Sequence, residues 1–221
     1  MNSDDVATMT LQDRLDDITA QTRNLVQPER LELSERAIAE LFATGIEDKL
    51  LKIGDAAPAF ALPDANGKLV RSTDLLALGP LVVCFFRGRW CPYCVTELET
   101  WRDLFPAVRE RGALLVAISP QAVRQNDFTV SQHRLPFPLL RDEGAAVAAE
   151  FGAAYVVADF MQGYYRSILV NIPFINGESS WRLPVPATFV ISQNASIRWS
   201  QGHADFRVRP EPTDVLKALE R

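Results

Sequence analysis

Residues 81–94 read LVVCFFRGRWCPYC, an apolar run that leads into two cysteines separated by two residues. The segment 81–86 carries no charged side chain, which is typical of a strand buried on both faces of a sheet. Pro92 predicts that a helix begins directly after Cys91, because its fixed φ suits the first helical position. The stretch therefore predicts a buried strand, a short turn and a helix that begins at the cysteine pair.

The helix from Pro92 runs to Gly112, with an apolar stripe on one side and Glu97 placed away from that stripe. A second buried strand follows at 113–118, and a strand–helix–strand unit of this kind is almost always parallel and right-handed. Strands at 187–191 and 196–201 are joined by a short turn and should be antiparallel neighbours. These strands predict an α/β fold, a four-stranded mixed sheet flanked by helices that resembles the thioredoxin fold.

The remaining chain predicts a hairpin around Asn66-Gly67, with Ser72 as the N-cap of the helix that follows. Further predicted elements are helices over 121–133, 143–151, 159–169 and 213–219, a strand over 137–140, and a loop over 171–183. Tyr164, Tyr165 and Trp181 are more typical of core packing than of a substrate groove.

The residues before the predicted domain read as helical, so we divide the chain into an N-terminal helical extension, 1–52, and a thioredoxin-like domain, 53–221. The extension carries an apolar stripe that needs a covering surface, formed by Leu31, Ile38, Leu41 and Phe42. We interpret the extension as a packing arm or a homodimer contact rather than a contributor to chemistry.

The chain has 221 residues, a net charge of −5 and three cysteines, which suits a globular protein without a disulfide framework. The acidic balance argues against a nucleic-acid or anionic-membrane partner. No apolar run approaches the roughly 20 residues of a membrane helix. The acidic N-terminus, MNSDDVATM, lacks the pattern of a secretory signal, so we expect a cytoplasmic location, where a cysteine pair is reduced at rest.

The cysteine pair is the candidate reaction centre. At the helix N-terminus Cys91 faces unpaired backbone N–H groups, which lower the pKa of a thiol. Arg87, Arg89 and Trp90 lie just upstream, and the two arginines add positive potential. Cys94 lies one helical turn further in, so we expect Cys91 to attack and Cys94, the more buried and less acidic thiol, to resolve the product.

Two other interpretations of the pair are a zinc site and an inert buried pair. Zinc usually takes four ligands, and only Cys84, His133 and His203 remain. Cys84 is better explained as a small apolar strand residue, and the two histidines stand alone. We expect neither a metal nor an organic cofactor.

A second signal lies at Val185-Pro186, directly before a predicted strand. A proline opposite the cysteine pair resembles the cis-proline loop of the thioredoxin superfamily. That resemblance implies a cis peptide bond at Pro186 and a Val185 backbone free to pair with an extended substrate.

Three segments together resemble the peroxiredoxin-like branch of the alkyl hydroperoxide reductase and thiol-specific antioxidant family: residues 54–60, 85–94 and 186–191. The resemblance implies thiol redox chemistry, with Cys91 in the position of the peroxidatic cysteine. It also implies a hydroperoxide or disulfide substrate and an external reductant of the thioredoxin, glutaredoxin or glutathione type. The alternatives are a dedicated thiol peroxidase and a non-enzymatic redox-sensing adaptor.

The sequence departs from this family at three positions that help to orient a peroxide. The family has Pro at the position of Cys84, Thr or Ser at the position of Gly88, and Arg at the position of Pro186. We therefore expect thiol–disulfide exchange to be faster than hydroperoxide reduction.

Overall fold

The computed structural model of the chain describes residues 9–220, so the predictions for residues 1–8, including the absence of a secretory signal there, lie outside the described part. Its helices are α1 (Leu11–Leu25), α2 (Pro28–Ala43), α3 (Ile46–Lys49), α4 (Ser72–Leu76), α5 (Pro92–Glu110), α6 (Val123–His133), α7 (Ala146–Glu150), α8 (Asp159–Ser167), α9 (Ile172–Asn176) and α10 (Pro212–Leu219). Its strands are β1 (Ala61–Pro63), β2 (Leu69–Arg71), β3 (Leu81–Phe85), β4 (Leu114–Ser119), β5 (Leu139–Arg141), β6 (Ala154–Val156), β7 (Arg182–Pro184), β8 (Ala187–Ile191) and β9 (Ile197–Gly202).

The central sheet has five strands in the order β5-β4-β3-β8-β9. Strand β3 is parallel to β4 and antiparallel to β8, and β8 is antiparallel to β9. The predicted α/β class and mixed sheet are confirmed. The predicted count of four strands is wrong, because the short strand β5 pairs in parallel with β4.

Strand β3 lies between two apolar cores, one on each face of the sheet. Val82 and Cys84 belong to the core that contains α5, whereas Val83 and Phe85 belong to the opposite core. All four side chains are fully buried. This double burial explains the uninterrupted apolar run, since a strand exposed on one face would alternate with polar residues.

Helix α1 packs into the same core as the cysteine pair. Leu11 and Leu15 are buried there, and the backbone N–H groups of Leu11 and Gln12 donate to the Glu211 carboxylate at 3.2 and 2.8 Å. This contact satisfies otherwise unpaired donors at the helix start. The domain boundary at residues 52 and 53 stays a prediction. Helix α1 contributes Leu11 and Leu15 to a core whose other buried residues come from the thioredoxin-like domain.

Two local predictions differ from the structure. Segment 171–183 is not a continuous loop, because it contains α9 and the start of β7, which pairs antiparallel with the unpredicted β6. Ser72 does not cap α4; it is the first helical residue, and its hydroxyl accepts from the Phe60 N–H at 2.9 Å. The predicted hairpin is confirmed as β1 and β2. No helix within residues 9–220 is long and apolar enough to cross a membrane.

The packing of α1 predicts a large difference between two leucines of that helix. Leu15 is fully buried and Leu25 is 85% exposed. Leu15→Ala should lower the free energy of unfolding by about 2–5 kcal/mol, and Leu25→Ala should change it by no more than about 0.5 kcal/mol. Urea unfolding of both variants measures this, and equal small effects would show that α1 does not belong to the core.

Candidate active site

The turn between β3 and α5 holds the cysteine pair at the end of the sheet. Cys91 is the N-cap of α5 and Pro92 is at its first turn, as predicted. Gly88 has a φ of 147°, and a Cβ atom there would lie 2.6 Å from Nε1 of Trp90. A side chain at this position would displace the Trp90 ring, so glycine suits the position at which the family has Thr or Ser.

Both sulfur atoms are buried, with Cys91 1% and Cys94 0% exposed. Burial raises the pKa of Cys91, but a hydrogen bond from Cys94 and the charges of Arg87 and Arg209 outweigh burial and lower that pKa to about 5. Burial and the neighbouring Cys91 raise the pKa of Cys94 well above its ordinary value. At neutral pH the pair therefore holds one thiolate, on Cys91, and one thiol, on Cys94.

Arg209 is a part of the site that the sequence did not reveal. Its Nη2 donates to Cys94 Sγ at 3.3 Å, and its Nε forms an ion pair with Glu97 Oε2 at 2.7 Å. The side chains of Arg209 and Glu97 are almost completely buried. Arg209 follows the last strand, far from the motif in sequence, and Glu97 was placed off the apolar stripe, so no local pattern indicated the pair.

Glu97 connects the ion pair to the third cysteine. Cys84 Sγ donates to Glu97 Oε1 at 3.4 Å. Burial raises the pKa of Glu97 to about 7, although Arg209 opposes that rise. Burial and Glu97 raise the pKa of Cys84 well above its ordinary value, so this thiol stays protonated.

Arg87 and Arg89 point to different places. The Arg87 guanidinium is buried over the rings of Trp90 and Phe206, at 4.7 and 4.3 Å, and Nη2 donates to the Tyr165 hydroxyl. The expected electrostatic role of Arg87 beside Cys91 therefore has a geometric basis. Arg89 instead donates to Gln125 Oε1 at 3.3 Å on α6, and the leading charges that lower the pKa of Cys91 are those of Arg87 and Arg209.

The structure contradicts the expectation for Val185 and Pro186. No peptide bond within residues 9–220 is cis, so the bond before Pro186 is trans. The Val185 N–H donates to the Ala153 carbonyl at 2.7 Å, and the Pro186 carbonyl accepts from the His203 N–H at 3.3 Å. The segment around β6 occupies the backbone that was expected to dock a substrate, and Val185 packs in the core on the far side of the sheet from Cys91.

Cys91 lies in a pocket of about 170 Å³, which we call the Cys91 pocket. Its walls come from α1 and α2, from α8 with the residues that follow it, and from the segment after β9; they include Thr19, Leu31, Tyr164, Tyr165, Ile168 and Phe206. The predicted core packing of Tyr165 and Trp181 is confirmed, and Tyr164 packs against the same cluster. Tyr164 and Tyr165 also line the pocket, as do residues of the N-terminal helices, whose role as a packing arm stays a prediction.

No cluster of three or more His, Cys, Asp or Glu side chains able to hold a metal ion occurs within residues 9–220. His133 pairs with Glu99 at 3.0 Å, and His203 contacts Gln201 at 2.9 Å. The chemistry that this arrangement allows is that of a buried dithiol next to two guanidinium groups.

Comparisons with known proteins agree with this geometry. Residues 53–200 match the model of the AhpC/TSA family, which is more than half of the sequence, so the chain belongs to that family. "Putative peroxiredoxin Rv1608c" of Mycobacterium tuberculosis is 37% identical over 102 residues, 46% of this chain and 66% of that protein. "Thiol-disulfide oxidoreductase ResA" of Bacillus anthracis is 29% identical over 113 residues, 50% of this chain and 64% of that protein.

The chain thus spans just under two thirds of the length of these relatives. The crystal structure of peroxidoxin BcpB from Mycobacterium tuberculosis superposes with a TM-score of 0.60 at 27% identity, covering 77% of this chain and 97% of that one. The resemblance to the peroxiredoxin-like family is confirmed. The extension before residue 53, which supplies two walls of the Cys91 pocket, lies outside the family match.

The electrostatics predict a distinctive reactivity for Cys91. Limiting iodoacetamide at pH 6 should label Cys91 ahead of Cys94 and Cys84, with a rate that rises through a midpoint near the pKa of about 5. Arg87→Gln should shift the midpoint upward, because a nearby positive charge is lost, and Arg89→Gln should leave it in place. Peptide mapping of the alkylated protein checks this, and faster labelling of Cys94 would reverse the assignment.

Proposed function

We propose that this protein is a thiol-dependent reductase of small hydroperoxides in which Cys91 is the nucleophile and Cys94 the resolving thiol. The observation that carries the proposal is a low-pKa thiol within a small pocket, with one buried arginine beside it and a second thiol one turn along the helix. A thiolate is the form of cysteine that attacks.

In the first step the Cys91 thiolate attacks one oxygen of the hydroperoxide, and the O–O bond breaks. The alcohol leaves after taking a proton, and Cys91 becomes a sulfenic acid. The Cys94 sulfur then attacks Cys91, the S–S bond forms, and the sulfenic oxygen leaves as water with the thiol proton. An external dithiol or two monothiols restore the pair, so the balance is one hydroperoxide reduced for two thiols oxidised.

Arg87 supports the cleavage of the O–O bond, a role that the family gives to groups absent here at Gly88 and Pro186. Its guanidinium lines the Cys91 pocket and is fixed between aromatic rings. Negative charge develops on the leaving oxygen as the O–O bond breaks, and a preorganised donor near that atom lowers the barrier. We therefore revise the expectation that the losses at Gly88 and Pro186 leave only the intrinsic nucleophilicity of the thiolate.

The size of the pocket selects the substrate. Cys91 is almost completely buried, and a cavity of about 170 Å³ is smaller than the roughly 300 Å³ at which drug-sized ligand sites begin. A protein disulfide has no exposed strand edge at Val185 on which to dock. The lining also contains charged side chains, Glu35 and Arg207 among them, but its aromatic and aliphatic members favour an organic hydroperoxide with a short apolar group over hydrogen peroxide. A thiol of the thioredoxin, glutaredoxin or glutathione type is the reductant that this chemistry requires.

Stopped-flow fluorescence of the reduced protein tests the substrate. We expect a short-chain alkyl hydroperoxide to react faster than hydrogen peroxide, and both to react faster than glutathione disulfide or a protein disulfide. Cys91→Ser should abolish the reaction. Arg87→Gln should slow it by about 100–1,000-fold, the usual cost of removing one transition-state donor.

The matched control for charge is Arg89→Gln, which removes a guanidinium from the neighbouring turn and should retain the full rate. If the two disulfides react faster than either peroxide, the protein is a disulfide exchanger and the hydroperoxide proposal fails. If Cys91→Ser retains peroxide reduction, the nucleophile lies elsewhere.

A second prediction concerns the oxidised state. Stoichiometric hydroperoxide should give an intramolecular Cys91–Cys94 disulfide and leave Cys84 as a thiol, because Cys84 is bonded to Glu97 and has a raised pKa. Mass spectrometry after alkylation of the remaining thiols shows the linkage. A disulfide that includes Cys84, or a covalent dimer on a non-reducing gel, would contradict the assignment of Cys94.

A further inference from the structure

A second cavity of about 370 Å³ lies on the other side of Arg87, and we call it the α2 cavity. Arg87, Tyr165 and Phe206 line both cavities, so these three side chains form the wall between them. Helix α2 contributes to both, through Leu31 in the Cys91 pocket and Ile38 in the α2 cavity. None of the 16 residues of α2 is buried, which leaves open space beneath an amphipathic helix.

The charge of Arg87 is not balanced by a carboxylate. Arg209 has Glu97 as an ion-pair partner, but no Asp or Glu within residues 9–220 forms an ion pair with Arg87. Burial raises the pKa of Tyr165 to about 12, so the hydroxyl that accepts from Arg87 is neutral. Nε of Arg87 is buried and has no hydrogen-bond partner in that same part of the chain. The Cys91 thiolate compensates part of this charge from the other pocket, and the unpartnered Nε leaves Arg87 able to bind a second anion, because a buried cation with an unpaired donor is costly to desolvate.

The lining of the α2 cavity defines the anion. One acidic side chain, Glu40, lies there, and it pairs with Arg36 at 2.7 Å; Lys49 adds a second positive charge to the lining. The rest of the wall is mainly apolar and includes Ile38, Leu41 and Met161. One buried guanidinium suits a planar carboxylate, which it binds with two parallel hydrogen bonds, and the apolar wall suits a hydrocarbon tail.

We propose that the α2 cavity binds a small apolar monocarboxylate, such as a medium-chain fatty acid, with its carboxylate at Arg87 and its tail beneath α2. The volume falls within the range of about 300–1,000 Å³ that is usual for small-molecule sites. The bound carboxylate offsets the positive charge that stabilises the Cys91 thiolate, so binding of the acid and reactivity of Cys91 oppose each other. This coupling is reciprocal.

Isothermal titration calorimetry of the reduced full-length protein tests the site, with octanoate, octanol and octylammonium as probes. We expect octanoate to bind with one-to-one stoichiometry and octanol to bind at least about tenfold more weakly, because it lacks the charge-assisted hydrogen bonds. Octylammonium should not bind. Equal affinity for all three, or no binding of octanoate, would overturn the proposal.

Two alanines of α2 give a matched pair of variants. Ala37 lines the α2 cavity, whereas Ala39 is exposed two residues further along. Ala37→Phe fills the cavity and should abolish octanoate binding, and Ala39→Phe should retain it. Binding that survives Ala37→Phe would place the ligand elsewhere. Arg87→Gln should reduce octanoate affinity to that of octanol, and continued discrimination in that variant would exclude Arg87 as the anion partner.

Cys91→Ser separates this proposal from the proposed catalytic function. The variant lacks the thiolate and should bind octanoate at least as tightly as the wild-type chain, although it has no reductase activity. In the wild-type chain, saturating octanoate should slow iodoacetamide labelling of Cys91. Weaker binding by Cys91→Ser would contradict the opposition between the acid and the thiolate, whatever substrate the enzyme reduces.

Discussion

A buried thiolate on Cys91 is stabilised by the guanidinium groups of Arg87 and Arg209, and this attraction joins the turn after β3 to the segment before α10 in one site. A buried charge is tolerated only where opposite charges or hydrogen bonds compensate its lost hydration. Arg209 meets this condition through Glu97 and Cys94, and Arg87 meets it through aromatic faces and the Cys91 thiolate. Oxidation of Cys91 removes the thiolate, so the chemistry of the pair changes the electrostatic balance of the whole site.

The helix N-terminus is one of several groups that lower the pKa of Cys91, through the backbone N–H of Cys94. Cys91 is the N-cap as predicted, but the leading stabilising contributions are the hydrogen bond from Cys94 and the charges of Arg87 and Arg209. Arg87 comes from the turn after β3, and Arg209 comes from the segment before α10. The site therefore forms only when the last fifth of the chain has folded onto α5.

The part of the site that could be predicted is the part encoded by neighbouring residues. The order of strand, turn and helix around Cys91 follows from an apolar run and a proline, which act locally. Arg209 and Glu97 could not be predicted, because their pairing joins elements 112 residues apart and neither has a local pattern. The expectation for Val185 failed for a similar reason: its N–H donates to the carbonyl of Ala153, directly before β6, a strand that the sequence pattern does not predict.

The N-terminal helices line both cavities from outside the segment that defines the family. Residues 53–200 contain both thiols of the pair, whereas Leu31 and Thr19 line the Cys91 pocket and Ile38 lines the α2 cavity. The apolar stripe of α2 is not only a surface for a partner. Leu31, Ile38 and Leu41 line these cavities, and of the four stripe residues only Phe42 is exposed. The extension therefore adds walls to both cavities that the family segment alone does not supply, and this placement is the basis for proposing that it helps to select the substrate.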